Sequence, residues 1–158
     1  MLTIIGCGNP NRSDDGAGVE VVRRLAALLG DTYAGRVRIC DAGTDGMGVM
    51  FKARGATSLI LVDACRSGSE PGAVFEVPGQ ELEGAPPPSL NLHDFRWDHA
   101  LYAGRRIFKS NFPTDVMVYL IESQVLTPGL GLSPPVEKAT ALVLKSLQRR
   151  IALAMEAA

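Results

Sequence analysis

The stretch SLILVDAC, residues 58–65, limits the fold more than any other part of the chain. It is continuous and aliphatic, without the polar alternation of a strand that shows one face to water. A strand of this kind needs cover on both faces, which places it in the middle of a parallel sheet with helices above and below. The run is also far shorter than the roughly 20 apolar residues that cross a bilayer, and no other run approaches that length.

The remaining segments supply its neighbours. LTIIG (2–6), VRICDAG (37–43) and VMVYLIE (116–122) read as further short strands. From Gly16 onward, Val21, Leu25 and Leu28 recur at helical spacing, and the pattern stops near Gly30. GMGVMFKAR (46–54) reads as a short helix, and another is expected over about 94–109. Ser133 followed by Pro134 has the chemistry of a helix start. The helix it opens carries Val136, Thr140, Val143, Leu147 and Ile151 on one face. AVFEV (73–77) follows the strand at 58–65 too closely for a helical crossover, so it is expected antiparallel at a sheet edge. Residues 78–90 and 127–135 are Gly/Pro-rich loops. The expectation is one α/β domain over residues 1–158. It has a mostly parallel, twisted five-stranded sheet, helices on both faces and one antiparallel edge strand.

Charge and cysteines narrow the function. A formal net charge of −1 leaves no broad basic surface, which argues against nucleic acid or an anionic membrane as partner. The start MLTIIGCGNP lacks the basic region of a signal peptide, so a cytoplasmic location is expected. Cys7, Cys40 and Cys65 form no CxxC pair and read as free thiols in a reducing compartment.

Strand order points to a site. Right-handed crossovers, with a reversal after the second strand, put strands one and three side by side. Open α/β sheets bind ligands in the crevice outside the carboxyl ends at such a switch point. The stretch IIGCGNPNRSDDGAG (4–18) runs into that crevice. It fails as a nucleotide loop: Asn11 replaces the third glycine of GxGxxG, Pro10 removes an N–H, and Asp14 and Asp15 would repel a pyrophosphate. One aspartate suffices to cap the first helix. The other, Asp15, is left to hold a cation. Asp63 ends strand three, and Asp41 lies on the same rim at the end of strand two. His93 follows a Gly/Pro-rich loop able to fold over the carboxyl edge. His99 lies roughly 240° further round a helix and is expected to pack or contact a partner, beside Arg96 and Trp97. Asp15, Asp63 and His93 make a mixed oxygen/nitrogen set suited to zinc, nickel or iron rather than calcium. There is no HExxH and no GxSxG, and nothing local supports a Cys65–His93 nucleophile and base.

GCGNPNRSDDGAGVEVVRRL (6–25) resembles the opening motif of the hydrogenase maturation endopeptidases. The likeness continues in order through DAGTDG (41–46), LILVDA (59–64), SLNLHDF (89–95) and GLGLSPPVEKA (129–139). It implies a five-stranded α/β sandwich and an enzyme that trims the C-terminal extension from the precursor large subunit of a [NiFe] hydrogenase. It also implies a metal triad of Asp15, Asp63 and His93, with nickel arriving on the substrate or another divalent transition ion in its place. Asp41 becomes the aspartate of a DGGT-like turn, orienting water or peptide, so Asp15, Asp41 and Asp63 form the expected catalytic set. Asp15 is Glu in some relatives, Ala42 replaces a glycine of the turn, and HDFRWDHALYAGRR is unusually basic and aromatic, which implies a subgroup with its own cognate hydrogenase. Two other classes stay open: a non-catalytic nickel checkpoint or chaperone for the loaded subunit, and a nucleotide-binding α/β enzyme.

Overall fold

The computed structural model describes residues 1–82, 84 and 96–156. Its strands are β1 (Leu2–Cys7), β2 (Val37–Gly43), β3 (Ser58–Cys65), β4 (Val74–Pro78) and β5 (Asp115–Glu122). They form a sheet in the order β2-β1-β3-β5-β4. All neighbours run parallel except β4, which lies antiparallel on β5 at the edge. The helices are α1 (Ala17–Leu29), α2 (Gly46–Ala53), α3 (Trp97–Phe108) and α4 (Pro134–Glu156). The antiparallel edge strand follows from its short connection to β3, as expected. No helix among the described residues is long and apolar enough to cross a membrane.

Period-two alternation divides the core between the two faces. Ile4, Ile60 and Val62 pack beneath α1 and α4 with Val21, Leu25, Val143 and Leu147. Ile5, Leu59 and Leu61 pack beneath α2 and α3 with Val49, Leu101 and Val118. Each fully buried aliphatic chain contributes about 2 kcal/mol. The same alternation decides where the chemistry lies: Asp63 shares the parity of Leu59 and Leu61, so it faces the α2/α3 side.

α1 lies close against the sheet, and a glycine makes this possible. A Cβ on Gly18 would collide with the carbonyl oxygens of Val62 and Cys7. The chain passes from β1 to β2 on one side of β1, then returns to β3 on the other. β1 and β3 are therefore adjacent and mark the switch point of the sheet.

One local expectation is corrected. α1 starts at Ala17 with Gly16 as N-cap and no side-chain cap, so neither Asp14 nor Asp15 serves it. Both sit in the 3-10 turn Ser13–Gly16 that precedes the helix. The expected start of α3 near residue 94 lies outside the described residues; the described helix begins at Trp97. All three cysteines are free.

Candidate active site

The carboxyl ends of β1, β2 and β3 surround an open pocket of about 140 Å³, lined by Cys7, Gly8, Gly43, Thr44, Asp63, Arg96 and Trp97. A larger cavity, about 220 Å³, opens at the opposite edge of the sheet between Leu2, Ser58, Arg150 and Leu153. The smaller pocket carries the chemistry, because the buried acid and its cationic neighbour lie there.

Asp63 is 6% exposed at the end of β3. Its Oδ1 accepts a hydrogen bond from the Ala64 N–H at 2.8 Å, and its Oδ2 lies 3.8 Å from Arg96 Nη2. Burial pushes its carboxyl up to about 7, opposed by Arg96, the Ala64 N–H and the Trp97 indole, and reinforced by the charge of Asp15. Asp15 is thus near enough to act on Asp63 through its charge, and both stand at the carboxyl rim of the sheet. Between them runs Gly8, at φ +120°. A Cβ there would run into the Asp15 carbonyl and come within 3.5 Å of Asp63 Oδ1. Only glycine fits this backbone and this approach. Asp15 is half-buried, and its Oδ2 accepts the Asn9 N–H at 3.0 Å, which folds the opening loop back on itself.

Asp14 has a different task, one that local sequence reasoning missed. It is fully buried. Its Oδ2 accepts from Gln124 N (2.9 Å), Val125 N (2.7 Å) and Ser133 Oγ (2.8 Å), and its Oδ1 from Ser133 N (2.7 Å). Burial alone would raise its pKa; these hydrogen bonds outweigh it and hold the carboxyl below the ordinary range. Asp14 is the tie between the opening turn, the loop after β5 and the start of α4. Ser133 does precede α4, and its carbonyl accepts the Glu137 N–H at 2.9 Å, but its hydroxyl is spent on Asp14.

Asp41 is on the rim, but its carboxylate is already engaged. Oδ2 pairs with Arg23 of α1 at 2.9 Å, and Oδ1 accepts the Gly43 N–H at 2.9 Å. Cys40 and Ala42 pack on the α2/α3 face, so alternation turns Asp41 to the α1 face, away from Asp63. Its link to the pocket is indirect. It fixes the turn at Gly43, whose carbonyl accepts the Gly8 N–H at 2.8 Å.

The thiols are poorly suited to nucleophilic work. Burial, then the charge of Asp63, raises the Cys7 pKa far above the thiol range. Burial and the neighbouring Glu122 push the Cys65 thiol up to about 12, and its Sγ–H donates to Glu122 Oε2 at 3.2 Å. His93 lies outside the described residues. His99 sits at the start of α3, with Nδ1 3.4 Å from the Arg96 backbone N and 3.2 Å from Asp98 Oδ1. Among the described residues, no three of His, Cys, Asp and Glu gather as a metal-binding set. Of the expected ligands, Asp15 and Asp63 are described, and carboxylate oxygens are donors that suit a divalent cation.

Arg96 and Trp97 also belong to this pocket, whereas sequence reasoning grouped them with His99 as packing or partner contacts. Their sequence signal was the aromatic and basic character of the segment; their position depends on how α3 docks.

A family model for hydrogenase maturation proteases (HycI) matches residues 19–150. The chain belongs to the hydrogenase maturation protease family. Among curated relatives of this family member, the Hydrogenase 2 maturation protease of Escherichia coli K12 is 27% identical, covering 98% of this chain and 91% of its own. The hydrogenase expression/formation protein HupM of Azotobacter chroococcum is 31% identical, covering 97% and 74%. Among solved structures, the hydrogenase maturating endopeptidase HybD of E. coli superposes with a TM-score of 0.78 at 23% identity, covering 97% of this protease and 93% of that chain. An endopeptidase solution structure from E. coli superposes at 0.77 with 27% identity, covering 92% and 88%. The fold, including the antiparallel edge strand, is that of the family.

Proposed function

We propose that this protease removes the C-terminal extension of a [NiFe]-hydrogenase large-subunit precursor in the cytoplasm, after nickel has been inserted into that precursor. The observation that carries the reading is the buried Asp63 at an open pocket, with Asp15 on the other side of Gly8, at the switch point of a maturation-protease fold. The nickel enters as part of the substrate. Asp15, Asp63 and His93 engage it, so that a loaded precursor is held and an empty one is not; another divalent transition ion could take the same donors.

The residues divide the work. Asp63, with its carboxyl near 7 when no cation is bound, gives up its proton when a cation arrives. Asp15 adds the second carboxylate from a loop that Gly8 and Asn9 hold in place. Asp41 positions the Gly43 turn and so the wall of the pocket against which peptide or water lies. A divalent ion so held would polarise the scissile carbonyl or activate a water. The raised thiol pKa values of Cys7 and Cys65 argue for attack by water rather than by a protein nucleophile.

The test is the mass of a nickel-loaded precursor incubated with purified enzyme. Wild type shortens it at the C-terminus; Asp63→Ala and His93→Ala do not. If either variant cleaves at the wild-type rate, the ion-sensing role is wrong. If wild type binds the precursor without any loss of mass, the non-catalytic checkpoint reading replaces this one.

A further inference from the structure

Asp15 and Asp63 raise a problem in the free protein. The two acids flank Gly8 at the carboxyl rim, and like charges so placed repel. A cation held beside them eases that repulsion whenever no substrate is present. The cation so placed is Arg96. Its guanidinium Nη2 lies 3.8 Å from Asp63 Oδ2, on the wall of the same pocket.

The geometry of this pair is unusual in a useful way. Strong guanidinium–carboxylate pairs close to about 2.7–2.9 Å and are often bidentate. At 3.8 Å, Arg96 neutralises without clasping. Its side chain is 61% exposed while that of Asp63 is 9% exposed. The cation therefore approaches from the solvent side and can swing back into water without breaking a close hydrogen bond to the acid. The residue next to Arg96 backs the acid from the buried side. Trp97, next in the chain and 7% exposed, makes no close hydrogen bond through its indole N–H, which faces Asp63. It lies near enough to Asp63 to favour its charged form.

We propose that Arg96 is a placeholder cation: it occupies the charge position beside Asp63 in the free enzyme, excludes free divalent ions, and withdraws when a substrate-held ion arrives. The inference rests on the reading of Asp15 and Asp63 as an ion-engaging pair. It assigns the enzyme a means of ignoring stray metal. A free ion must displace Arg96 with its own binding energy alone. An ion fixed in a docked precursor brings the binding energy of the whole protein surface to that displacement.

Calorimetric titration of Ni²⁺ into the substrate-free, full-length protein tests this. The forms compared are wild type, Arg96→Gln, Arg96→Lys, Asp63→Asn and the double variant Arg96→Gln/Asp63→Asn. The exposure of Arg96 keeps its variants folded, as far-UV circular dichroism verifies. Arg96→Gln is expected to bind Ni²⁺ roughly tenfold more tightly than wild type, a modest factor because the pair is solvent-screened. Arg96→Lys, which keeps the charge, should stay near wild type, and the double variant should lose the gain. If Arg96→Gln binds no more tightly than wild type, or shows no binding, the placeholder is refuted. If Asp63→Asn still weakens binding in that case, the ion-engaging reading survives. If Arg96→Lys gains as much as Arg96→Gln, charge is not the cause and the proposal fails. If the double variant binds as tightly as Arg96→Gln, the ion does not sit at Asp63, and both readings fall.

Discussion

Asp14→Ala gives the sharpest test of how the site is held. The substitution removes a fully buried carboxylate and strands four donors, three of them backbone N–H groups. Each hydrogen bond to a charged acceptor is worth about 1.5–3 kcal/mol, but four bonds on one group are not additive. Gln124 and Val125 belong to exposed residues, so their N–H groups regain water once Asp14 is gone. Ser133 N, beside the start of α4, does so less easily. A net loss of about 3 kcal/mol follows, which for a domain of this size lowers Tm by roughly 6–12 °C. Asp14→Asn keeps one oxygen acceptor and should lose about half as much. The pH dependence has a definite sign. The native pKa of Asp14 lies below its unfolded value. Its contribution is therefore full above the ordinary aspartate range and fades as pH falls through the native value. The gap between wild type and Asp14→Asn should narrow on acidification. Urea unfolding followed by circular dichroism at neutral and acid pH measures both effects. An Asp14→Ala variant within about 1 kcal/mol of wild type at pH 7 would refute the tie.

Three further predictions follow from the same geometry. Gly8→Ala forces a side chain against the Asp15 carbonyl at φ +120°, so cleavage of a loaded precursor should fall well below what any loss of Tm explains; unaltered turnover would contradict the role given to this loop. Glu122→Gln removes a negative charge that raises the Cys65 pKa, so iodoacetamide should label Cys65 faster at pH 9; an unchanged rate would show that burial alone sets that thiol. The same change leaves one neutral amide oxygen where Ser67 and Gly68 donate to two carboxylate oxygens and should lower Tm. Arg23→Ala breaks only a solvent-exposed pair with Asp41 and should cost less than about 1 kcal/mol in denaturant unfolding.

Much of the fold was legible because its signals are local. A continuous aliphatic run such as 58–65 has few ways to be buried, and the short step to Val74 forbids a parallel crossover. Asp63 was legible for the same reason: an acid ending such a strand falls at the carboxyl rim. Asp14 was not, because its partners lie 110 to 119 residues away and the local rule, that aspartate caps helices, gave a ready but incorrect answer. Asp41 was placed on the correct rim, yet its turn toward Arg23 depended on the parity of β2, set by which neighbours are covered. Arg96 and Trp97 needed the docking of α3 before their pocket existed.

The tie made by Asp14 also sets an order of assembly. Chains emerge from the ribosome amino end first, and domains fold as units once their parts are available. β1, α1, β2, α2 and β3 can come together early, but among the described residues β4 pairs only with β5, so it waits for residues 115–122. Asp14 waits longer still, until Ser133 has been made. The turn that carries Asp15 is therefore the first part of the crevice to be synthesised and among the last to be fastened. A growing chain of this protease has no finished cutting site until its final helix is under way.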